Sequence, residues 1–317
     1  MKLRGARVLI TGGAGFIGSH LVEGLLWEGA SVGVIDDFST GAKSNLPTSE
    51  GLDVYEGDIR NLDFVRSVVH QYDAVLHEAA RVSVPRSVED PLTTDMVNTT
   101  GTLNMLVASK DARLERFVYA SSSSVYGDTP TLPKSELMPP NPFSPYAVSK
   151  LAGENYCRTF GELYGLKTVC LRYFNVYGPR QKAGAYSGVI PAFVKRALDK
   201  EPLLINGDGT QTRDFTYVKD VVQANLLCLK KDLKGGEVYN VGSHQRTSLN
   251  DLANLIRKLT GTGIIEPVHG PPRPGDIAHS YADITKISSE LGYAPAYGIE
   301  SGLASVIDWS KSGNNPP

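Results

Sequence analysis

A tyrosine and a lysine four residues apart form the most reactive pattern in this sequence. They are Tyr146 and Lys150, in the segment Tyr-Ala-Val-Ser-Lys. If the segment is helical, both side chains lie on one face, and the Lys150 ammonium favours the phenolate and lowers the pKa of Tyr146. A phenolate can take up a proton as a general base. We therefore predict that this pair abstracts a proton.

A run of four serines, Ser121 to Ser124, precedes that pair. The run closes a predicted strand, and the carboxyl ends of parallel strands are where ligands bind in doubly wound sheets. We predict that Ser122 holds a substrate oxygen there. The simpler interpretation is a serine-rich turn beside an amphipathic helix that carries an ordinary surface tyrosine and lysine.

A glycine-rich segment follows the first predicted strand and reads Thr-Gly-Gly-Ala-Gly-Phe-Ile-Gly over residues 11–18. Between a strand and a helix, such glycines let the backbone approach a pyrophosphate at the helix N-terminus. The alternative is a tight turn without a ligand. The predicted cofactor contacts in this segment are Gly12, Gly15, Phe16, Ile17 and Gly18.

Two aspartates stand at the end of the second predicted strand. The first, Asp36, lies 18 residues after Gly18, and Asp37 follows it directly. Asp36 is positioned to hydrogen-bond both hydroxyls of an adenosine ribose. Asp37 adds a second negative charge, and the nearest downstream cation is Lys43. A 2'-phosphate would be repelled, so the sequence predicts NAD rather than NADP.

The elements that must position these residues alternate along the first half of the chain. The predicted strands are Arg7 to Thr11, Ala30 to Ile35, Leu52 to Glu56, Ala74 to His77, Arg116 to Ser121 and Lys167 to Arg172. The predicted helices are Phe16 to Trp27, Leu62 to His70, Leu92 to Ser109 and Tyr146 to Tyr164. This rhythm predicts an α/β fold with a doubly wound parallel sheet (Rossmann) over residues 1–173. Residues 174–317, rich in glycine and proline loops, are predicted to form a smaller mixed α/β substrate domain, with segments returning to the first.

Composition narrows the possible partners. The chain has 317 residues and a formal net charge of -2, which gives no field for nucleic acid or an anionic membrane. No apolar run reaches bilayer-spanning length, and the N-terminus does not resemble a signal peptide. Three cysteines without a CxxC pair fit reduced, buried thiols. We expect a cytoplasmic protein with no metal site.

Together the motifs resemble the extended short-chain dehydrogenase/reductases. Within them the chain is most similar to nucleotide-sugar 4-epimerases of the UDP-galactose 4-epimerase type, and closest to their UDP-N-acetylglucosamine 4-epimerase branch. The similarity covers nearly the whole chain. Besides the motifs above it rests on residues 57–60, 98–102, 171–179, 207–214 and 273–276.

The resemblance implies further contacts with the two ligands. For NAD they are Asp58 and Ile59 at the adenine, with Ala79, Asn98, Tyr146, Lys150 and Tyr173. For the UDP-sugar they are Ser83, Ser122, Ser124, Tyr146, Asn175, Val189, Arg213, Arg273, Asp276 and Ser280. The diphosphate would meet Asn175, Arg213 and Arg273, and arginines suit phosphate oxygens. Surface salt bridges are the alternative role of the two arginines.

The resemblance also implies the reaction. Tyr146 takes the proton of the sugar 4-hydroxyl, Ser122 bonds the same oxygen, and hydride passes to the nicotinamide and returns to the opposite face of a 4-keto sugar. Related dehydratases and decarboxylases carry carboxylates just after the equivalent of Ser122. This chain has Ser123 and Ser124 there, which favours epimerisation.

Ser280 bears on the identity of the sugar. In the family this position gates the sugar pocket: a tyrosine accompanies UDP-glucose and UDP-galactose, and a small residue admits an N-acetyl group at C2. We therefore expect UDP-GlcNAc and UDP-GalNAc, with the non-acetylated pair as a further possibility. Val82 and Gly188 depart from the galactose epimerase pattern, where a lysine and an asparagine stand, and the larger pocket at Gly188 also permits a uronate.

Four alternatives stay open. They are an enzyme restricted to UDP-glucose 4-epimerisation, a UDP-glucuronate 4-epimerase or decarboxylase, a net NAD-dependent oxidoreductase or dehydratase, and a non-catalytic NAD-binding regulatory protein. The last class commonly lacks the tyrosine or the lysine, and this chain keeps both. The resemblance implies a homodimer formed through the third and fourth predicted helices.

Overall fold

A seven-stranded, all-parallel sheet forms the centre of the computed structural model, which describes residues 1–184, 188–272 and 277–312. The strand order is β3-β2-β1-β4-β5-β6-β11. The central strands are β1 (Arg7–Thr11), β2 (Ser31–Asp36), β3 (Leu52–Glu56), β4 (Ala74–His77), β5 (Arg116–Ser122), β6 (Thr168–Tyr173) and β11 (Glu237–Val241). Short strands outside it are β7 (Val176–Tyr177), β8 (Leu204–Asn206), β9 (Thr212–Arg213), β10 (Thr216–Tyr217), β12 (Thr247–Ser248) and β13 (Val268–Gly270).

Helices cover both faces of this sheet, and others pack together in the second half of the chain. The helices are α1 (Phe16–Trp27), α2 (Leu62–Val69), α3 (Val84–Glu89), α4 (Pro91–Asp95), α5 (Gly101–Asp111), α6 (Pro145–Tyr164), α7 (Val189–Leu198), α8 (Val218–Lys230), α9 (Leu249–Thr260), α10 (Thr285–Leu291) and α11 (Ile299–Lys311). None of those within the described ranges is long and apolar enough to cross a bilayer.

The doubly wound α/β fold is confirmed. All six predicted strands are present, with ends within one residue of the prediction. One helix differs: residues 92–109 are divided between α4 and α5 by a π-helical turn over Met96–Thr100. Turns of this kind often lie at functional sites, and this one carries Asn98. The seventh strand, β11, was not predicted and comes from the second half of the chain.

Apolar side chains on the two sheet faces build two separate cores. One lies against α1, α8 and α10 and includes Leu21, Val118 and Val221. The other lies against α2, α5 and α6 and includes Val65, Met105 and Cys157. A third core joins α7, α9 and α11 in the second half of the chain. The sheet is thus sandwiched, and its carboxyl edge is left for polar side chains.

Candidate active site

Tyr146 and Lys150 lie in the first two turns of α6. Pro145 stands at the first helical position, and the Ser144 Oγ caps the helix by accepting a hydrogen bond from the Ala147 N–H at 3.1 Å. Both reactive side chains are buried, with Tyr146 8% and Lys150 3% exposed. The four-residue spacing therefore turns both toward the sheet, as predicted.

A buried ion pair fixes the rotation of α6 against the sheet. Glu154, one turn after Lys150, accepts hydrogen bonds from the Arg172 Nε at 2.8 Å and Nη2 at 2.7 Å. The Ser121 Oγ donates to the same carboxylate at 2.5 Å. Sequence reasoning missed this pair, although an acid four residues after Lys150 and an arginine inside a predicted strand were its signal. The pair holds Tyr146 and Lys150 at the end of β5.

Burial dominates the electrostatics of the reactive pair. The Lys150 Nζ donates to the Ala120 carbonyl at 2.7 Å and lies 6.0 Å from the centre of the Tyr146 ring. Burial lowers the pKa of Lys150 to about 8. It raises the pKa of Tyr146 to about 12, against a lowering by the hydrogen bond with Ser122. The predicted lowering of the Tyr146 pKa is thus wrong for the protein without ligands, because desolvation of the phenol is the larger effect.

The serine at the end of β5 lies close to the Tyr146 hydroxyl. This residue, Ser122, lies close enough to that hydroxyl to lower its pKa, and it accepts a hydrogen bond from the Ser124 N–H at 3.1 Å. Among the described residues, the buried Ser124 Oγ lacks a hydrogen-bond partner. An unpartnered buried hydroxyl costs free energy unless a ligand or water meets it. Ser122 and Ser124 therefore both remain available to a substrate oxygen.

A second carboxylate, the half-buried Glu78, follows β4 directly and was also missed. The Tyr173 hydroxyl donates a hydrogen bond to its Oε1 at 2.7 Å, and the Asn225 Nδ2 donates to that hydroxyl at 2.8 Å. Burial raises the pKa of Glu78 to about 7. Tyr173 is the register partner of Ser122 between β6 and β5. A charged residue immediately after a buried strand was the signal for Glu78.

A hydrogen-bonded chain through His77 ties the glycine loop to the π-helical turn. The Thr11 hydroxyl meets the His77 Nδ1 at 2.6 Å, and the Nε2 meets the Thr102 hydroxyl at 2.9 Å. The Thr102 hydroxyl donates to the Asn98 carbonyl, so Nε2 carries the proton and Nδ1 accepts. Burial lowers the pKa of His77 to about 3, so the ring stays neutral.

The glycine loop forms a cradle that side chains would fill. Gly12 has a φ of +68°, and a Cβ there would lie 2.9 Å from the backbone of Ala79. A Cβ on Gly18 would lie 2.2 Å from the Gly12 carbonyl oxygen. Gly15 is the N-cap residue of α1 and provides no side-chain cap, and Phe16 and Ile17 are the first residues of the helix. The backbone at this helix N-terminus is thus open to a pyrophosphate.

The acidic residues predicted at the ribose lie beside this loop. Asp36 ends β2, is 7% exposed, and accepts hydrogen bonds from the N–H groups of Ala14 and Phe38, each at 2.9 Å. Burial raises its pKa. Asp37 accepts a hydrogen bond from the Ser39 N–H at 2.9 Å. Their contact with a ribose stays a prediction.

The remaining predicted cofactor residues are engaged with the protein. Asp58 pairs with Arg60, whose hydrogen bonds lower the pKa of the carboxylate. Ile59 is buried, and its side chain lies against Gly101 of α5. Asn98 accepts from the Arg81 N–H at 2.8 Å, and its Nδ2 donates to the Ser149 Oγ at 3.0 Å. Asn98 thus links the loop after β4 to α6.

The predicted substrate residues of the second half gather around β9. The Arg213 Nη1 donates to the carbonyls of Thr212 and Ala278 at 3.0 and 3.2 Å. The Ser280 N–H donates to the Thr212 carbonyl at 3.0 Å. Asn175, between β6 and β7, has a φ of +28°, and its Nδ2 donates to the Asp214 carbonyl at 3.2 Å.

Four predicted substrate residues are not part of this cluster. Two of them, Ser83 and Val189, lie elsewhere in the structure, and the other two lie outside the described residues. The Ser83 Oγ caps α3 by accepting from the Arg86 N–H at 3.2 Å, and Val189 is the first residue of α7. Arg273 and Asp276 lie outside the described residues, so their roles stay predictions.

Comparison with known proteins identifies the family. Residues 8–242 match the model of the NAD dependent epimerase/dehydratase family. A protein of Methanocaldococcus jannaschii named as a putative UDP-glucose 4-epimerase is 39% identical over 310 residues, covering 97% of this chain and 99% of that one.

Two solved structures have the same fold. UDP-N-acetylglucosamine 4-epimerase from Methanobrevibacter ruminantium, in complex with UDP-N-acetylmuramic acid, is 37% identical with a TM-score of 0.94, covering 98% of this chain and 99% of that one. UDP-glucose 4-epimerase from Thermus thermophilus, in complex with NAD, is 38% identical with a TM-score of 0.88, covering 96% and 99%. The open helix N-terminus and the glycine cradle fit that cofactor. The chain belongs to the NAD dependent epimerase/dehydratase family and uses NAD as its cofactor.

Proposed function

We propose that the chain inverts the configuration at C4 of a UDP-sugar through a transient 4-keto sugar, with UDP-GlcNAc and UDP-GalNAc as the preferred pair. The observation that carries the proposal is the position of Ser122 at the carboxyl edge of the sheet, close enough to the Tyr146 hydroxyl to lower its pKa, on the same edge as the glycine cradle. Two hydroxyls meeting at this edge can bind one sugar oxygen between them.

Each residue has a defined task in this reaction. Ser122 bonds the sugar 4-oxygen, and Tyr146 accepts its proton and later returns it. Lys150 lies behind the Tyr146 ring and contributes a charge that favours the phenolate. Bound NAD supplies the acceptor and donor of hydride. The unpartnered Ser124 hydroxyl offers a further hydrogen bond to the sugar.

The chain's own residues disfavour elimination. Ser123 and Ser124 follow Ser122, where related dehydratases carry an aspartate and a glutamate. Without those carboxylates, loss of water lacks its proton-transfer groups at this turn. The retention of the buried Tyr146 and Lys150 together with the half-buried Ser122 likewise argues for catalysis over a purely regulatory role.

The choice of sugar rests on Ser280. This small side chain is half-buried beside β9 and leaves room for a substituent at C2 of the sugar. Relatives named for UDP-glucose and for UDP-N-acetylglucosamine are similarly close in sequence, so the size of residue 280 is the argument that favours the acetylated pair. A uronate is the runner-up, since Gly188 before α7 enlarges the pocket.

We also expect a homodimer formed through α4, the π-helical turn and α6. Leu92, Met96 and Val148 on these elements are 76%, 43% and 53% exposed. Apolar side chains clustered on one surface commonly mark a protein interface.

Incubation with UDP-GlcNAc, UDP-glucose and UDP-glucuronate in separate reactions, without added NAD, tests the proposal. NMR of the products should show the C4 epimer of UDP-GlcNAc, with no net NADH and no 4-keto-6-deoxy sugar. A lack of epimer from all three substrates would refute the proposed activity, and accumulation of NADH would indicate an oxidoreductase.

A further inference from the structure

Glu78 is a half-buried carboxylate that the proposed proton transfer does not use. Its partner Tyr173 has a fixed orientation, because the Asn225 Nδ2 donates to the Tyr173 oxygen at 2.8 Å. The Tyr173 hydroxyl must therefore give its own proton to the Glu78 Oε1, at 2.7 Å. An amide, a phenol and a carboxylate from α8, β6 and β4 thus form one directed chain. The chain ends on an acceptor, which suits an ionised Glu78.

The Glu78 carboxylate lies at the same end of the site as the reactive hydroxyls. Its partner Tyr173 pairs in register with Ser122, and β5, which Ser122 ends, lies between β4 and β6. The charge of Glu78 acts on both Tyr146 and Lys150 of α6. Since hydride must leave a sugar bonded to Tyr146 and Ser122, the nicotinamide ring has to bind at this end.

A negative charge on Glu78 is costly in these surroundings. The charge of Lys150 lowers the pKa of Glu78, but the ammonium donates its hydrogen bond to the Ala120 carbonyl. Desolvation is the larger effect and raises the pKa of Glu78 to about 7, so the charged form is disfavoured. A positive charge arriving on a ligand would reverse that balance. The nicotinamide ring of NAD is positively charged when oxidised and neutral when reduced.

We propose that Glu78 sets the redox balance of the bound cofactor, its carboxylate stabilising the oxidised nicotinamide over the reduced form. The inference deepens the proposed function at the same site and rests on it for the position of the nicotinamide. Stabilisation is reciprocal, so the oxidised ring also favours the ionised carboxylate. An enzyme that must return hydride to its keto sugar in every cycle gains from this bias, because a reduced cofactor left behind ends turnover.

The test compares the wild-type holoenzyme with Glu78→Gln. Glutamine keeps the size of the side chain, and its amide oxygen still accepts from Tyr173, so only the charge is lost. Each holoenzyme is equilibrated with a low-potential reference dye in the absence of sugar, and the ratio of bound NADH to NAD is measured. We expect the ratio to rise roughly tenfold, the scale of one charge acting across several ångströms of protein interior. For a two-electron couple this is about 30 mV.

Glu56→Gln is the matched control, because Glu56 ends β3 of the same sheet and pairs with Lys43 at the exposed surface. Its ratio should equal that of the wild type. Glu78→Leu removes charge and hydrogen bond together, should raise the ratio as well, and serves if the glutamine variant does not fold. An unchanged ratio in the folded Glu78 variants, or a rise in the leucine variant alone, overturns the inference. No sugar takes part, so a failure of the proposed epimerisation leaves this readout intact.

Discussion

At the scale of single residues, burial penalises charge throughout the reactive cluster. It raises the pKa of Tyr146 to about 12 and lowers those of Lys150 and His77 to about 8 and about 3. Each shift favours the uncharged form, because low-polarity surroundings penalise charge. Tyr146 therefore keeps its proton at neutral pH.

Removal of the Tyr146 hydroxyl should abolish catalysis without loss of the cofactor. For Tyr146→Phe we expect kcat to fall by roughly 10² to 10⁴, the range found when a general acid–base is lost. NAD content, measured after denaturation and extraction, should stay at the wild-type level. Tyr164→Phe at the exposed end of the same helix is the control and should retain full activity. A Tyr146→Phe enzyme with near-normal kcat would exclude this residue as the base.

Ser280→Tyr should separate the two candidate sugars. A phenol beside β9 would occupy the space of a C2 N-acetyl group, so turnover of UDP-GlcNAc should fall at least about tenfold, in line with exclusion from a filled pocket. Turnover of UDP-glucose should persist. Steady-state kinetics with both substrates on one preparation provides the internal control, and an equal loss of both would contradict the steric argument.

At the scale of elements, the contact between the glycine loop and α1 is closer than any side chain allows. Gly18 lies in the first turn of α1 directly above the Gly12 carbonyl. The open N-terminus of α1 depends on this approach, because the loop can cross it only where no Cβ intervenes. The same packing brings Gly12 against Ala79 after β4.

Gly18→Ala should therefore impair both stability and cofactor binding. Its Cβ would lie 2.2 Å from the Gly12 carbonyl oxygen and 2.7 Å from the Gly13 Cα, and backbone atoms must move to relieve the clash. Overpacking of this kind costs about 1 to 3 kcal/mol, so we expect a lower Tm and a reduced NAD content. Gly263→Ala, in an exposed loop with open space around the new Cβ, should match the wild type in both. An unaltered NAD content in Gly18→Ala would argue against the cradle.

At the scale of the whole molecule, contacts between distant segments join the cofactor half to the second half. β11 pairs with β6, and α8 packs on α1. The ring of His20, on α1, donates from Nε2 to the Pro179 carbonyl at 3.0 Å, and the Arg180 Nη2 meets its Nδ1 at 3.1 Å. Burial is the main cause that lowers the pKa of His20 to about 4. Protonation of this ring would thus oppose the joining of the two halves.

Acid should weaken the protein in part through His20. Its folded pKa lies below the ordinary 6.5, so the unfolded chain binds the proton first, and stability falls as pH drops from about 6.5 to about 4. The loss in the free energy of unfolding that is due to His20 approaches about 1.4 kcal/mol per pH unit in this range. Glu78, whose pKa is raised to about 7, acts in the opposite direction, so the comparison must be between variants.

Denaturant unfolding of the wild type and His20→Gln at pH 7, 6 and 5 isolates this effect. The free energy of unfolding of the wild type should decline relative to that of the variant as the pH falls. His70→Gln, at an exposed position, should track the wild type. Parallel curves for wild type and His20→Gln would show that His20 is not linked to folding.

The sequence by itself determined those features that depend on residues close together along the chain. Apolar periodicity gave the ends of six strands and of α1, α2 and α6 almost to the residue. The glycine spacing and the four-residue spacing of Tyr146 and Lys150 identified the cradle and the reactive pair, because backbone geometry and helix periodicity act over a few residues. Asn98 was named through family resemblance alone, and the π-helical turn around it was not foreseen.

Only the tertiary structure decided which side chains from distant parts of the chain come into contact and how these contacts shift their pKa values. Tyr173 donates to Glu78 and accepts from Asn225, over sequence separations that no local pattern encodes. β11, from the second half of the chain, pairs with β6 in the sheet. Glu154 of α6 forms an ion pair with Arg172 of β6. The pKa of Tyr146 rises rather than falls because desolvation depends on everything packed around the phenol, whereas the sequence displayed only its lysine neighbour.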